Sequence, residues 1–250
     1  MNSSQQLRIL QYNVHKSKDV ITPLLEDPRI QQFHLILVQE PWRNQHIQTS
    51  YNPSQSNFHL LYHPHAETRV AIYISKSIPT TDWKVRHLTP DLSVLDLKVQ
   101  FTDVVRTIRI YNVYNPPPRS KQDNTGPSTL PDLDKDFQES PCEHSMVFGD
   151  FNLHHPLWGG RTLLSQHAYA DKLIDITEEH NLVQLTLPGT ITYSQNGEST
   201  IDLAFATSGI ANMLVQCIVR KDIEQQSDHF PIATILQLQT AKQEVVPRRV

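Results

Sequence analysis

Met146-Val147-Phe148-Gly149-Asp150-Phe151-Asn152 is a short apolar run that ends abruptly in an acid and an amide next to a glycine. The apolar residues predict a buried strand, and α/β proteins commonly build their sites where such strands end. Asp150 can bind a metal ion or accept a proton, and Asn152 offers both a hydrogen-bond donor and an acceptor. This pairing favours metal-assisted chemistry on a phosphate over a role in stabilising the fold.

Strand-like segments extend over most of the chain around this run. They are rich in Val, Ile and aromatic residues, and we predict strands over residues 7–14, 33–38, 58–62, 70–75, 93–101, 107–114, 146–149, 200–206, 214–219 and 230–238. Helices are predicted only over residues 24–30, 131–139 and 168–180. The many strands and the lack of a regular strand–helix alternation argue against a Rossmann fold. We therefore predict an α/β (α+β) fold, a four-layer sandwich in which two packed mixed β-sheets are flanked by helices.

Length and composition are those of one large domain. The chain has 250 residues, of which 38% are hydrophobic and 19% charged, so it can bury a sizeable core. Residues 1–239 are predicted to form this domain, and the polar residues 240–250 are predicted to be a tail or linker. The formal net charge of −4 is not that of a globally basic protein, so any nucleic-acid contact must come from a local patch.

The sequence also limits the cellular setting. Residues 1–8 are polar and lack the apolar segment of a signal peptide, and no apolar run reaches the ~18 residues of a membrane span. Cys142 and Cys217 do not have the spacing of metal ligands. We predict reduced thiols, although the sequence also permits a disulfide between them. An intracellular protein without a membrane partner is expected, and its oligomeric state is not predicted.

Polar residues recur where the predicted strands end. Besides Asp150 and Asn152, they are Asn13, Glu40, Tyr114, Asn115, Asp202 and the triplet Ser227-Asp228-His229. Each kind has an ordinary structural explanation, since an Asn at a strand end is commonly a turn residue and a strand Tyr is commonly a core ring. An acid inside an apolar run, such as Asp202, needs a partner. Six such positions in one chain favour a shared site over six coincidences.

Six short segments together resemble the endonuclease/exonuclease/phosphatase superfamily. In the order of that family they are Gln11-Tyr12-Asn13-Val14, Val38-Gln39-Glu40-Pro41, Asn112-Val113-Tyr114-Asn115-Pro116, Gly149-Asp150-Phe151-Asn152, Ser199-Thr200-Ile201-Asp202-Leu203 and Ser227-Asp228-His229. The extension Leu153-His154-His155-Pro156-Leu157-Trp158-Gly159 is similar to the endonuclease domains of non-LTR retrotransposons. Within this extension we favour packing roles for His154, His155 and Trp158 over contacts with DNA.

The resemblance implies hydrolysis of a phosphodiester with a divalent cation. The implied cofactor is Mg²⁺, with Mn²⁺ as an alternative. Glu40 is the implied main ligand, because Mg²⁺ prefers carboxylate oxygen and keeps several of its waters. Asn13 is expected to help hold the metal or the water beside it, and Asp228 is expected to support the metal.

The same resemblance implies catalytic roles for five residues. Asp150 is expected to orient or deprotonate the attacking water, and His229 to hydrogen-bond the scissile phosphate. Asp202 is expected to hold the His229 ring and to favour its protonated form. Asn152 and Tyr114 are expected to donate hydrogen bonds to phosphate oxygens. Either Asp150 or His229 is the general base, and the sequence leaves that choice open.

Substrate contacts are expected from residues next to these positions. Many relatives carry Asn three residues after the tyrosine of the third segment, and here Pro117 stands at that position. Asn115 is expected to substitute, unless that contact is missing. Thr192 is expected to pack on the site or on a flipped base. Lys16 and Arg43 follow strands that carry site residues, and we expect them to form a rim that contacts phosphates.

The sequence therefore predicts an endonuclease that nicks DNA with the help of Mg²⁺. Its product would carry a 3′-hydroxyl that primes reverse transcription, and its partners would be DNA and a reverse transcriptase domain in a longer polyprotein. Such a protein would act in the nucleus. One alternative is a phosphatase of the same superfamily that acts on an inositol phosphate or a phospholipid. A catalytically decayed nucleic-acid-binding module is the other, and the intact Glu40, Asp150 and His229 argue against it.

Overall fold

Two six-stranded mixed β-sheets pack face to face, and helices cover their outer faces. The predicted four-layer sandwich is therefore confirmed. The computed structural model describes residues 6–44, 46, 49–53, 55–101, 104–120, 126–160, 166–195, 197–223 and 226–238. The predicted tail over 240–250, and the predicted domain boundary at residue 239, lie outside the described residues.

The described elements are short and mostly strands. The strands are β1 (Gln6–Asn13), β2 (Leu35–Gln39), β3 (Phe58–Tyr62), β4 (Val70–Ser75), β5 (Trp83–Thr89), β6 (Leu92–Phe101), β7 (Val104–Tyr114), β8 (Ser145–Asp150), β9 (Leu182–Gln184), β10 (Asp202–Thr207), β11 (Leu214–Val219) and β12 (Ile232–Gln237). The helices are α1 (Lys18–Glu26), α2 (Leu130–Glu139), α3 (Pro156–Gly159), α4 (Ala170–Glu179) and α5 (Ser208–Ala211). Three 3₁₀ turns cover Ile30–Gln32, Thr80–Asp82 and Lys221–Ile223.

The two sheets have the same pattern of strand directions. The first has the order β11-β12-β1-β2-β4-β3 and the second the order β5-β6-β7-β8-β10-β9. One central pair in each sheet is parallel, β1 with β2 and β7 with β8, and the other pairs are antiparallel. Parallel neighbours end at the same edge, so polar residues that follow them along the chain meet there.

All ten predicted strands are present, but β5 and β9 lie in segments where the sequence predicts none. β5 is a half-exposed edge strand that carries Lys84, Arg86 and His87, so its apolar alternation is weak. β9 has only three residues, which is too short to give a periodic signal. Both strands are identified by their pairing in the structure, β5 with β6 and β9 with β10.

The predicted helices α2 and α4 are confirmed, whereas the helix predicted over residues 24–30 is wrong. α1 begins six residues earlier, at Lys18, and ends at Glu26. Pro28 disfavours a helical backbone at the residue before it, and Asp27 is accordingly extended, with φ −68° and ψ 121°. Within the described residues, no helix is long and apolar enough to cross a membrane.

Hydrophobic burial fixes the order of the layers. α1 packs on the outer face of the first sheet through Val20, Ile21, Leu24 and Leu25. α2 and α4 cover the outer face of the second sheet in the same way. A third cluster fills the space between the sheets. Each sheet is therefore buried on both faces, which explains its long apolar runs.

The side chains between the sheets change from apolar to polar along four central strands. The apolar end contains Leu7 and Ile9 of β1, Ile108 and Ile110 of β7, Met146 and Phe148 of β8, and Ala204 and Ala206 of β10. The polar end contains Gln11 and Asn13 of β1, Asn112 and Tyr114 of β7, Asp150 of β8 and Asp202 of β10, all buried. The alternation of inward-facing side chains along each strand places these groups in successive layers.

Asn112 joins the two sheets at the start of the polar end. Its Nδ2 donates to the carbonyl oxygens of Val38 and Ala71, at 3.2 and 2.9 Å. Its Oδ1 accepts from Gln39 Nε2 at 2.6 Å. The strands of the second sheet are thereby held in one register against those of the first, directly below the site described next.

Candidate active site

The polar end opens into a cavity of about 460 Å³. Asn13 closes β1 and Asp150 closes β8, while Asp202 opens β10 directly opposite Asp150 in the antiparallel pairing. Loop residues complete the walls, among them Glu40, Asn152, Asp228 and His229. The structure thus brings together side chains that are up to about two hundred positions apart in the sequence.

Asp150 lies at the floor of the cavity and is 1% exposed. Its Oδ2 accepts from Asn13 Nδ2 at 2.9 Å and from Asn152 Nδ2 at 3.2 Å, and its Oδ1 accepts from the Asn152 backbone N–H at 3.0 Å. Burial raises the pKa of Asp150, and the negative charge of Asp202 adds to that rise. Three donors therefore fix the orientation of a carboxyl group that binds a proton more readily than an ordinary aspartate.

His229 forms a closely packed group with two acids. Its Nδ1 lies 2.8 Å from Asp202 Oδ2, and its Nε2 lies 3.9 Å from Asp150 Oδ2. Burial alone would lower the pKa of His229, but the charge of Asp202, its hydrogen bond and the charges of Asp150 and Asp228 raise it to about 9. The imidazole is therefore stabilised in its protonated form and held in one orientation.

Asp202 is itself positioned by Thr192, which is fully buried. Thr192 Oγ1 accepts from the backbone N–H groups of Ile201 and Asp202, at 3.1 and 3.0 Å. Asp202 Oδ1 finds no hydrogen-bond donor among the described residues. Thr192 thus packs on the site by holding the backbone of Asp202, and its expected contact with substrate stays a prediction.

Glu40 follows β2, and its backbone adopts the left-handed conformation, with φ +45°. Two backbone hydrogen bonds hold this conformation, from Glu40 N–H to the Arg69 oxygen at 2.8 Å and from Lys16 N–H to the Glu40 oxygen at 2.7 Å. A non-glycine residue rarely adopts such a conformation without a functional reason. The carboxylate lies in the cavity wall, 3.2 Å from Lys16 Nζ.

Tyr114 closes β7 and lines the same cavity. Burial raises its pKa, and the charges of Glu40 and Asp150 raise it further, so the phenol keeps its proton and can donate. The Arg69 guanidinium lies over the Tyr114 ring, 4.6 Å from its centroid, and pairs with Asp91. The ring is therefore fixed on one face.

Asn115 follows β7 and Asn152 follows β8, and the structure gives the two amides different positions. Asn152 has φ +52° and lines the cavity, with its Nδ2 donating to the Asn115 oxygen at 3.0 Å. Asn115 is 1% exposed, and its side chain bonds the Phe151 oxygen, the Ser128 hydroxyl and the Thr129 N–H. Asn115 therefore supports the loop that holds Asn152, and its expected contact with substrate stays a prediction.

Asp228 lies at the rim, in contact with a residue that the sequence analysis did not identify. His15 Nδ1 lies 3.1 Å from Asp228 Oδ1, and His15 lines the cavity with φ +50°. Ser227 Oγ donates to the Asn13 oxygen at 2.8 Å and so ties this loop to the end of β1. Neither His15 nor its pairing with a distant acid gives any local signal in the sequence.

Lys16 and Arg43 do not line the main cavity among its described residues. They line a neighbouring cavity of about 600 Å³, together with Trp42 and Arg69. The Arg43 guanidinium lies 4.7 Å over the Tyr62 ring. The two cations therefore lie beside the site, and their expected contact with phosphates stays a prediction. Pro117, which stands where many relatives have Asn, lies in the wall of the main cavity.

Another wall of the main cavity contains a short hairpin, of which the sequence pointed only to Thr192 and Ser199. Tyr193 pairs with Ser199, and the Tyr193 ring lies 4.8 Å from the His229 ring. The backbone of Tyr193 also pairs with that of His229. This hairpin therefore holds the loop of His229 against the site.

The extension after Asn152 divides into packing residues and a cavity residue. Trp158 is 2% exposed and donates from its ring nitrogen to the Leu153 oxygen at 2.9 Å, which confirms a packing role. His155 caps α3 by accepting from the Leu157 N–H. His154 instead lies in the cavity wall, next to His167.

The described residues contain two groups of acids and histidines whose ligand atoms lie within 4.8 Å of one another. One is Asp150, Asp202 and His229 in the cavity, and the other is Asp134, Glu179 and His180 on the outer helices. Glu40 belongs to neither group, although it lines the cavity. Its carboxylate, the Asn13 amide and the Asp228 carboxylate offer hard oxygen donors, which is the donor type that fits Mg²⁺ or Mn²⁺ with several retained waters.

Comparison with known proteins yields one sequence family and several similar folds. A family model described as endonuclease-reverse transcriptase matches residues 108–233. The endonuclease domain of TRAS1, a telomere-specific non-LTR retrotransposon, is 18% identical, with a TM-score of 0.72 over 94% of this chain and 100% of that chain. No curated protein sequence matches the chain.

Two repair nucleases have a similar structure. The AP endonuclease LMAP from Leishmania major is 14% identical, with a TM-score of 0.69 over 95% of this chain and 89% of that chain. The APE2 catalytic domain from Xenopus laevis is 14% identical, with a TM-score of 0.68 over 94% of each chain. At these identities the structural similarity shows a shared fold, and the site must be judged by its own geometry.

Proposed function

The chain belongs to the endonuclease-reverse transcriptase family, and on that premise we propose that it is a Mg²⁺-dependent endonuclease that nicks DNA. The observation that carries this proposal is the buried group of Asp150, Asp202 and His229, of which Asp150 and His229 line an open cavity. Burying ionisable groups costs the fold free energy even when they are paired. Their concentration at one end of the core, beside an imidazole, favours a catalytic role.

Glu40, Asn13 and Asp228 are the residues that would hold the metal. When bound, the cation supplies positive charge to an oxygen of the scissile phosphate and to its leaving group. Glu40 stands on the cavity wall in a strained backbone conformation, and Asn13 donates to Asp150 through its amide nitrogen. The Asn13 amide oxygen accepts from the His15 backbone N–H at 2.9 Å, which fixes the direction of both amide atoms.

The remaining side chains would bind the phosphate and move the proton of the attacking water. His229 is held by Asp202, so its other ring nitrogen is directed towards Asp150 and can bond a phosphate oxygen. Tyr114 would donate to another phosphate oxygen, and Asn152 would do so by giving up one of the two bonds that its Nδ2 makes, to Asn115 and to Asp150. Asp150 or His229 would accept the water's proton, the choice that the sequence leaves open, and His229 would first have to lose the proton that the neighbouring acids stabilise.

The substrate is proposed to be duplex DNA, with the strand running past the rim formed by Lys16 and Arg43. A nick with a 3′-hydroxyl would prime a reverse transcriptase in a longer polyprotein, and the site of action would be the nucleus. The family description, which joins an endonuclease to a reverse transcriptase, supports this partner. Asn115 and Thr192 are proposed to act through Asn152 and Asp202 respectively.

Incubation of the protein with supercoiled plasmid tests the proposal. We expect nicked circles with Mg²⁺ or Mn²⁺, none with EDTA, and none from Asp150→Ala or His229→Ala. His155→Ala is the matched control, because His155 belongs to the same segment but caps an exposed helix. The proposal fails if no divalent cation supports nicking, or if both cavity variants still nick. Phosphate release from an inositol phosphate without nicking would support a phosphatase instead.

A further inference from the structure

The main cavity contains histidines where nucleic-acid sites usually contain lysine and arginine. Its described lining includes no lysine or arginine, and its basic side chains are His15, His154, His167 and His229. The acids Glu40, Asp150, Glu198 and Asp228 line it as well. Among the described residues, a polyanionic strand that enters this cavity finds its donors in imidazoles, amides and hydroxyls.

The four histidines fall into two sets. His229 is paired with Asp202 at 2.8 Å, and His15 with Asp228 at 3.1 Å. His154 and His167 form a separate pair in the wall that follows Asn152 along the chain, and Pro117 and Pro118 also contribute to the lining. The proposed catalytic roles do not use this second pair.

The geometry of His154 and His167 is fixed by reciprocal hydrogen bonds. The His167 backbone N–H donates to the His154 oxygen at 2.9 Å, and the His154 backbone N–H donates to His167 Nδ1 at 3.2 Å. The two rings meet edge to face, with centroids 4.8 Å apart. Because Nδ1 of His167 accepts, the neutral ring carries its proton on Nε2. The pair is therefore a rigid unit with a defined donor nitrogen.

We propose that His154 and His167 form a second phosphate subsite, which binds the backbone phosphate next to the scissile one on the same strand. This inference rests on the proposed endonuclease function and specifies how its cavity holds a strand. A cavity of about 460 Å³ is within the range of sites that hold small ligands, so two neighbouring phosphates fit. Two fixed contacts to one strand would set its direction through the site, which a single phosphate contact cannot do.

DNA duplexes with a single uncharged methylphosphonate linkage test the subsite. The linkage is placed at the phosphate on either side of a mapped nick, and equilibrium binding is measured in EDTA so that cleavage plays no part. We expect wild-type protein to lose about tenfold in affinity on one side, the loss typical of one charge-assisted hydrogen bond. His167→Asn should bind ordinary DNA about tenfold more weakly and show no further loss with the methylphosphonate.

Three variants separate a phosphate subsite from a structural anchor. His167→Asn keeps an acceptor for the His154 N–H, and thermal unfolding should show that it folds like the wild type. His154→Ala should show the same loss of sensitivity, and His155→Ala should keep the sensitivity of the wild type. The subsite is excluded if His167→Asn and His154→Ala retain that sensitivity while wild-type protein binds and nicks DNA. Absence of nicking by the wild type would overturn the endonuclease proposal itself, and the subsite with it.

Discussion

The two ends of the inter-sheet core are built on the same strands but follow opposite rules. Along β8, Phe148 is completely buried among apolar neighbours, and two residues later Asp150 is just as deeply buried among acids and amides. The apolar end follows the usual physics of burial, which removes hydrophobic surface from water. The polar end buries groups whose loss of hydration costs free energy, and Asn112 at its start offsets part of that cost by bonding across the sheets. The side chains that stabilise the fold and those proposed to act in the chemistry therefore lie in adjacent layers.

The comparison predicts that a change at Asp202 affects activity far more than stability. Asp202→Asn should lower the nicking rate about 10²- to 10⁴-fold, because the variant no longer holds a charged partner beside His229. Its free energy of unfolding should fall only modestly, because loss of the charge that stabilises protonated His229 is partly offset by relief of the repulsion between Asp202 and Asp150. Nicking rates and urea titrations measure the two quantities.

Asp134→Asn is the matched control for this change. Asp134 Oδ1 also pairs with a histidine ring nitrogen, His180 Nε2 at 3.0 Å, but on the outer helices. It should leave the nicking rate unchanged. A rate loss at Asp134 as large as that at Asp202 would contradict the separation of roles.

The apolar end should respond in the opposite way. Phe148→Ala removes a fully buried ring from the inter-sheet cluster and should cost about 3–5 kcal/mol in unfolding free energy. Under conditions where the variant remains folded, its nicking rate per folded molecule should stay near that of the wild type. A large loss of rate in the folded variant would show that the two ends are coupled and not separate.

Asn112, at the junction, should give an intermediate result. Asn112→Leu deprives Gln39 Nε2 and the Val38 and Ala71 oxygens of their partner, so it should cost about 1–3 kcal/mol in unfolding free energy. Chemical denaturation measures this cost. Asn112→Asp serves as a second variant, because it keeps the acceptor for Gln39 and loses both donors. Equal stability of Asn112→Leu and wild type would show that the tie between the sheets is not needed.

The smallest effect is expected one layer below the site, at Gln11. Both polar atoms of its side chain are buried and lack a hydrogen-bond partner among the described residues. Gln11→Met keeps the length of the side chain and removes the unsatisfied amide, so it should raise the unfolding free energy by about 1 kcal/mol. A destabilised variant would instead show that the amide contributes to the fold.

The sequence predicts those parts of the site that lie at strand ends, and the reason is local. Asp150, Glu40 and Asn13 each come at the end of a mainly apolar run. Hydrophobic patterning therefore predicts that each of them lies at the end of a buried strand. The packing of two mixed sheets was predictable for the same reason. β5 was not, because an exposed edge strand with alternating charges has almost no apolar signal.

Other parts of the site depend on contacts that no local pattern encodes. An amide at a strand end looks the same in the sequence whether it faces a cavity, like Asn152, or bonds its own turn, like Asn115. Only the path of the backbone after β7 and β8 distinguishes the two. His15 and His167 enter the cavity from loops, where the residue type carries no information about direction.

The hydrogen bond from Ser227 to Asn13 joins residues 214 positions apart, and β1 lies between β12 and β2 in the first sheet. The cavity floor consequently cannot close while the ribosome is still adding the segments that hold His229 and β12. A nascent or truncated chain that lacks these segments would contain Asn13, Glu40 and Asp150 but would not bring them together in a cavity. Contacts of such high sequence separation slow folding, so the proposed activity would require these last segments to be synthesised and folded.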